Sequence, residues 1–199
     1  MFMPHSTKID TQKIIDGFEH IKKDYLWSVE NDYWIDYVHE LDISGPVNPS
    51  MFTRNGHFWT VVPLILKREV LPFIPEYLKN SYTVNLLMSL EVKPVIAIFS
   101  MLEPHSDIDP HIDTDDEVVL DTKHIPWDQR DTHIVKYHMG LDVHDDGPAC
   151  LVVGDEEQQV EEGKLVAFDE TITHYAYNHS SKKRGVLIVS YLHDELYDK

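Results

Sequence analysis

Cysteine is almost missing from this chain of 199 residues, with Cys150 standing alone. A single thiol excludes an intramolecular disulfide and any zinc or iron–sulfur site built from several cysteines, and it suits a reducing, cytoplasmic setting. Basic residues are also scarce, 17 Lys and Arg against 35 Asp and Glu, for a formal net charge of −18. Such a surface repels phosphate backbones and anionic headgroups, and the longest basic run, Lys182 to Arg184, is too short to reverse that. No nucleic acid or membrane partner is expected. The longest apolar runs, such as Val61 to Leu66 and Val186 to Val189, fall far short of the ~20 residues a membrane span needs. The N-terminal Met-Phe-Met-Pro-His-Ser-Thr-Lys has no basic region followed by an apolar core, so no secretory signal is read.

What the chain does carry is 42% hydrophobic residues and 13 histidines, several of them beside carboxylates. The length and apolar content predict one domain over residues 1–199, able to bury a core without disulfides. Between Lys8 and Tyr25, Ile14, Ile15, Phe18, Ile21 and Tyr25 recur at helical spacing, and Asp10 and Thr11 stand at the start of that helix. Trp27 to Val38 fits helix or strand, Asp42 to Asn55 reads as a long connection, and a second helix is expected near Glu69 to Leu78 despite Pro72 and Pro75. Beyond it the texture becomes short, β-branched and aromatic. Tyr82 to Val92, Val95 to Met101, Thr132 to Leu141, Ala149 to Val153, Lys164 to Phe168, Thr171 to Tyr177 and Val186 to Leu192 all read as strands. Many short strands suggest a sandwich or barrel. The expected plan is therefore mainly β, with a helical or mixed support segment over 1–80 and a β core over 81–199.

The stretch Glu103 to Asp121 holds eight acidic residues and no Lys or Arg, which composition alone would leave as a solvated loop. Within it lies His111-Ile112-Asp113. In extended chain, residues i and i+2 point to one side, so the imidazole and carboxylate can converge on one cation. The same spacing recurs at His105/Asp107, His144/Asp146 and His193/Glu195, so the motif needs an independent second ligand. His174, on the strand that returns after Phe168-Asp169-Glu170, is the best candidate. Two His and one carboxylate on one face of an iron leave positions open for further ligands. Arg184 shares alternation parity with Val186, Ile188 and Ser190, which points its guanidinium with an apolar face. An inward Arg requires an anion, either a structural carboxylate or that of a dicarboxylic ligand.

Together these residues resemble the aspartyl/asparaginyl β-hydroxylase family of Fe(II)- and 2-oxoglutarate-dependent oxygenases, including relatives that hydroxylate free proline. The resemblance runs from about Val95 to Leu192. It rests on Ser100 ahead of Pro110-His111, on Lys136-Tyr-His138-Met-Gly-Leu141 beside the family's Arg-x-His-Leu-Gly-Leu, and on the spacing from His174 to Arg184. It implies a double-stranded β-helix, a cupin-like jelly roll, with iron held by His111, Asp113 and His174. By the same resemblance Arg184 binds the distal carboxylate of 2-oxoglutarate, assisted by Ser100 and His138. Asp113 stands where animal aspartyl hydroxylases carry Gly, which places this chain nearer the proline hydroxylases. Lys136 replaces the family's usual Arg, keeping the charge but losing the bidentate fork.

The implied activity is hydroxylation of an unactivated C–H of an amino acid, with O2 consumed and succinate and CO2 formed. A free amino acid such as proline and an Asp, Asn or other residue in a peptide are both compatible substrates. The competing reading is a non-catalytic metal-binding jelly roll, a sensor or structural protein, which would share His111, Asp113 and His174 but have no need of Arg184. His105 and His144 are assigned to polar loops, Asp169 and Asn178 to bracing the His174 segment, Cys150 to the core, and Trp127 to packing or a lid.

Overall fold

The computed structural model describes residues 1–36, 59–113 and 133–197. Four strands precede the β core: β1 (Phe2–Met3), β2 (Ile35–Asp36), β3 (Trp59–Leu66) and β4 (Glu69–Val70). The core itself is β5 (Ile96–Leu102), β6 (Ser106–Asp107), β7 (Ile134–Asp142), β8 (Ala149–Val153), β9 (Glu156–Gln159), β10 (Leu165–Asp169), β11 (His174–Asn178) and β12 (Arg184–Leu192). The larger sheet runs β1-β10-β7-β12-β5-β3-β2, with β4 on β3, and the smaller runs β6-β11-β8-β9. Every strand pair is antiparallel. From β5 to β12 the chain passes back and forth between the sheets, which is the winding of a jelly roll. The double-stranded β-helix read from the family resemblance is the observed fold.

The large sheet buries both faces, and strand alternation divides the labour. One face meets the helices α1 (Thr11–Asp16), α2 (Phe18–Glu30), α3 (Glu76–Lys79) and α4 (Tyr82–Ser89). There Ile14, Ile21 and Tyr25 pack with Phe99, Tyr137, Leu187 and Val189. The opposite face, carrying Leu102, Phe168, Val186 and Ile188, looks toward Leu151, Val153 and Ala176 of the small sheet. That inner face also carries Ser100 and His138, because both pair across β12 with Val186 and Ile188. A fifth helix, α5 (His193–Leu196), follows β12.

Local chemistry explains where the sequence expectations were met and where they failed. The expected N-terminal helix is two helices, α1 capped by the Asp10 carboxylate accepting from the Lys13 amide, and a break at Gly17 before α2. Tyr82 to Val92, expected as a strand, is instead α4. Ser81 Oγ caps it by accepting from the Val84 amide, and the buried Asp24 carboxylate takes both the Thr83 amide (2.8 Å) and hydroxyl (2.7 Å). A good cap and a tertiary anchor override β propensity there.

The helix expected over Glu69 to Leu78 is also corrected. Glu69–Val70 turns back on β3 through Lys67 and Arg68, both at positive φ (52° and 66°), as a two-residue hairpin requires. Only Glu76–Lys79, after Pro75, is helical. Of the ambiguous stretch, Trp27 to Glu30 ends α2 and Ile35–Asp36 forms β2. Its last two residues, the long connection at 42–55 and Trp127 lie outside the described residues. Among the described residues no helix is long and apolar enough to cross a membrane.

Candidate metal centre

The site forms where the small sheet's chain ends approach the inner face of the large one. His174 opens β11, and His111 lies beyond β6, the two joined by an isolated antiparallel bridge. Asp113 follows two residues later, as the i, i+2 reading requires. The three donor atoms lie within 4.8 Å of one another. Among the described residues this is the one group of three or more such donors brought so close.

Both imidazoles are oriented by the main chain. His111 Nδ1 lies 2.7 Å from the Asp109 carbonyl and His174 Nδ1 2.9 Å from that of Ile172. A carbonyl only accepts, so each Nδ1 donates, which leaves Nε2 as the nitrogen either ring can offer to a metal. Those Nε2 atoms face the Asp113 carboxylate, His111 Nε2 at 3.5 Å from Oδ1 and His174 Nε2 at 3.1 Å from Oδ2. Donor atoms converging in this way can hold a cation, and two imidazole nitrogens with one carboxylate suit a divalent transition metal. Burial lowers the His111 pKa, keeping the ring neutral and able to ligate. Burial alone would raise the Asp113 carboxyl, but the Lys136 ammonium against it leads the opposing effects, and the group is held well below the usual carboxylate range.

Arg184, at the start of β12, is 3% exposed, and its Nε has no hydrogen-bond partner among the described residues. Burial pushes its pKa down to about 10, and the groups that act on it are Tyr25 and Cys150 rather than a carboxylate. Ser100 is buried with its Oγ accepting from Trp59 Nε1 at 2.8 Å. His138 Nε2 has no partner among the described residues, and burial, reinforced by the Lys136 and Arg184 charges, holds that ring well below its ordinary pKa. Lys136, grouped by resemblance with the co-substrate residues, lies against Asp113 Oδ2.

The remaining His-x-acid pairs dissolve into local structure. Asp107 pairs with His179 (2.9 Å), His144 with Asp142 (3.3 Å), and Glu195 with Arg68. Asp146 accepts from Ser180 and Ser181, and the exposed His105 sits at positive φ in a turn. Asp169 braces the turn before β11, accepting from the Thr171 amide at 2.8 Å and facing His133. Asn178 Nδ2 reaches the carbonyls of Leu102, Glu103 and Lys182, tying β5 to the approach of β12. Cys150 is a buried residue of β8, its thiol pushed up by burial.

Three neighbours were missed in sequence. The Phe168 ring lies 4.9 Å from His174 and 5.0 Å from His138, and Glu170 is fully buried 3.7 Å from Lys136 Nζ. Both had been read only as the end of a strand. Trp59 carried no signal, because its contact with Ser100 depends on the β3–β5 register.

A model of the family described as aspartyl/asparaginyl β-hydroxylase matches residues 11–194. The chain belongs to this family. The match takes in the whole of α1 to α4 as well as the jelly roll. No curated protein matches the chain.

Among solved structures, the chain is similar to a viral collagen prolyl hydroxylase of Paramecium bursaria Chlorella virus-1, solved as its 2OG complex. The identity there is 12%, the coverage 48% of this chain and 56% of that one, and the TM-score 0.37. It is also similar to the Cupin_2 domain of an XRE family transcriptional regulator from Enterobacter cloacae, at 11% identity, 67% and 95% coverage and a TM-score of 0.38. The strand order, rather than these distant likenesses, establishes the jelly roll.

Proposed function

We propose that this member of the aspartyl/asparaginyl β-hydroxylase family is an Fe(II)- and 2-oxoglutarate-dependent dioxygenase. It hydroxylates an unactivated C–H of an amino acid, free, as with proline, or within a peptide, and releases succinate and CO2. One observation carries the reading: the same interior holds a convergent His-Asp-His donor set and a buried arginine with no carboxylate beside it among the described residues. A metal-binding jelly roll without catalysis would use the donors and have no use for that arginine, whose burial without an anion is costly.

His111, Asp113 and His174 would hold the metal, and Arg184 would bind the distal carboxylate of 2-oxoglutarate through its planar fork. Ser100 and His138 line the same inner face and would orient the co-substrate between them. Bound there, ferrous iron and 2-oxoglutarate supply the O2-dependent oxidation that a protein side chain cannot perform. The chain's own work is to hold Nε2 lone pairs toward the metal, to neutralise the dicarboxylate, and to keep water out with Leu102, Leu151, Phe168 and Ile188.

The test is anaerobic loading with Fe(II) and 2-oxoglutarate, admission of O2, and quantification of succinate with a panel of free amino acids and short peptides. Iron-dependent succinate, raised by one member of the panel, is expected. Failure of the iron-loaded protein to bind 2-oxoglutarate would overturn the reading in favour of the non-catalytic metal site.

A further inference from the structure

Among the described residues Lys136 has two carboxylates within reach, and they belong to different parts of the fold. Its ammonium contacts Asp113 Oδ2, the oxygen that His174 Nε2 also faces, and lies 3.7 Å from Glu170 Oε2. Glu170 has no solvent exposure. Its position is fixed by the backbone, because its amide donates to the Ile134 carbonyl at 3.1 Å, two residues before Lys136 on β7. A buried carboxylate needs a nearby cation, and Lys136 is placed to serve both acids.

Occupation of the donor set changes that arrangement. A divalent ion at Asp113 would set a second cation against the carboxylate that Lys136 already touches, and like charges at contact in a buried site repel strongly. The lysine chain is flexible and its charge compact, so the ammonium can shift by the length of one contact without moving β7.

We propose that Lys136 is the stand-in cation of the metal-free site, and that Glu170 is the positioning residue onto which Lys136 withdraws when metal takes Asp113. Lys136 thereby competes with metal for Asp113, and Glu170 relieves the competition. The inference rests on the metal site of the preceding reading, though on none of its chemistry.

The experiment titrates Co(II), a redox-stable probe, into the metal-free full chain without 2-oxoglutarate and follows the heat of binding. Wild type, Lys136→Met, Glu170→Gln and the double variant form a cycle. Lys136→Met is expected to bind Co(II) about tenfold more tightly and Glu170→Gln about tenfold more weakly, opposite signs that general damage to the site would not produce. In the Lys136→Met background, Glu170→Gln is expected to lose most of its effect, because there is no longer an ammonium at 136 for it to draw from Asp113.

An undiminished Glu170→Gln effect in that background would overturn the proposal, since Glu170 would then act on the metal directly through its charge. Unchanged or weaker Co(II) binding by Lys136→Met would overturn it too. Should Lys136→Met fail to fold, Lys136→Gln, which keeps a donor without the charge, takes its place in the cycle. Tight Co(II) binding without succinate formation overturns the dioxygenase reading and leaves this one standing. Absence of Co(II) binding by the wild type overturns both.

Discussion

The main chains of His111 and His174 pair with each other, the amide of each donating to the carbonyl of the other at 3.0 and 2.9 Å. The two imidazoles, 4.5 Å apart between ring centroids, are thus held by a backbone bridge that does not depend on the rings themselves.

Replacing either ring should remove metal binding without unfolding the chain. His111→Ala and His174→Ala are expected to lose bound metal and turnover while keeping the wild-type far-UV circular dichroism. His105→Ala and His144→Ala are expected to keep metal, because neither belongs to the donor set. Elemental analysis after dialysis against Fe(II) under argon reads the result.

Arg184→Ala should leave metal binding intact and weaken 2-oxoglutarate by roughly 30- to 100-fold, the worth of a lost charge-assisted bidentate contact. The ligand-free variant should melt no lower than the wild type, since it removes a buried charge that no carboxylate among the described residues balances. Titration of the Co(II)-loaded protein with 2-oxoglutarate and a thermal melt check the two halves.

Gly185 lies beside Arg184 at a register shift in β12, and a Cβ there would fall 2.2 Å from Tyr25 Cζ and 2.3 Å from its hydroxyl oxygen. The ring is fully buried between helix and sheet and cannot swing away. Gly185→Ala is therefore expected to cost about 1–3 kcal/mol, the usual range for overpacking. Tyr25→Phe should be neutral or stabilising by up to about 1 kcal/mol, because the hydroxyl has no hydrogen-bond partner among the described residues. Urea unfolding midpoints decide both.

Acid should destabilise the ligand-free protein from pH 6.5 downward. His138 is held well below its ordinary pKa of 6.5 by burial, so below that pH the unfolded chain takes up a proton that the folded one refuses. Stability is complete above pH 6.5 and falls as pH drops toward the folded value. His138→Leu is expected to flatten the slope of melting temperature between pH 7 and 5 relative to wild type, in buffers of matched ionic strength.

The strands β5, β7, β8, β10, β11 and β12 were legible in sequence because alternation is local, whereas β3 and β9 were not read as strands. Parity alone placed Arg184 with Val186 and Ile188, and the i, i+2 rule paired His111 with Asp113. The glycine of the Lys136 to Leu141 motif also has a local meaning that only the fold reveals, since a Cβ on Gly140 would sit 2.4 Å from the Glu161 carbonyl oxygen. Helix α4 was misread because its β-branched residues suggested a strand, while the buried Asp24 that anchors it lies 59 positions away from Thr83. The Lys67–Arg68 turn was missed because neither residue is the glycine or asparagine that usually marks positive φ.

By itself the sequence determined the ligand types, their spacing within each strand, the inward direction of Arg184 and the mainly β texture, all of which follow from side-chain chemistry and a period of two. The tertiary structure decided which of four His-x-acid pairs joins a second histidine in one three-donor cluster, that Lys136 falls on Asp113, and that Glu170 is buried beside it. Those are contacts between strands far apart in the chain, and they depend on sheet order and register, which local periodicity does not encode.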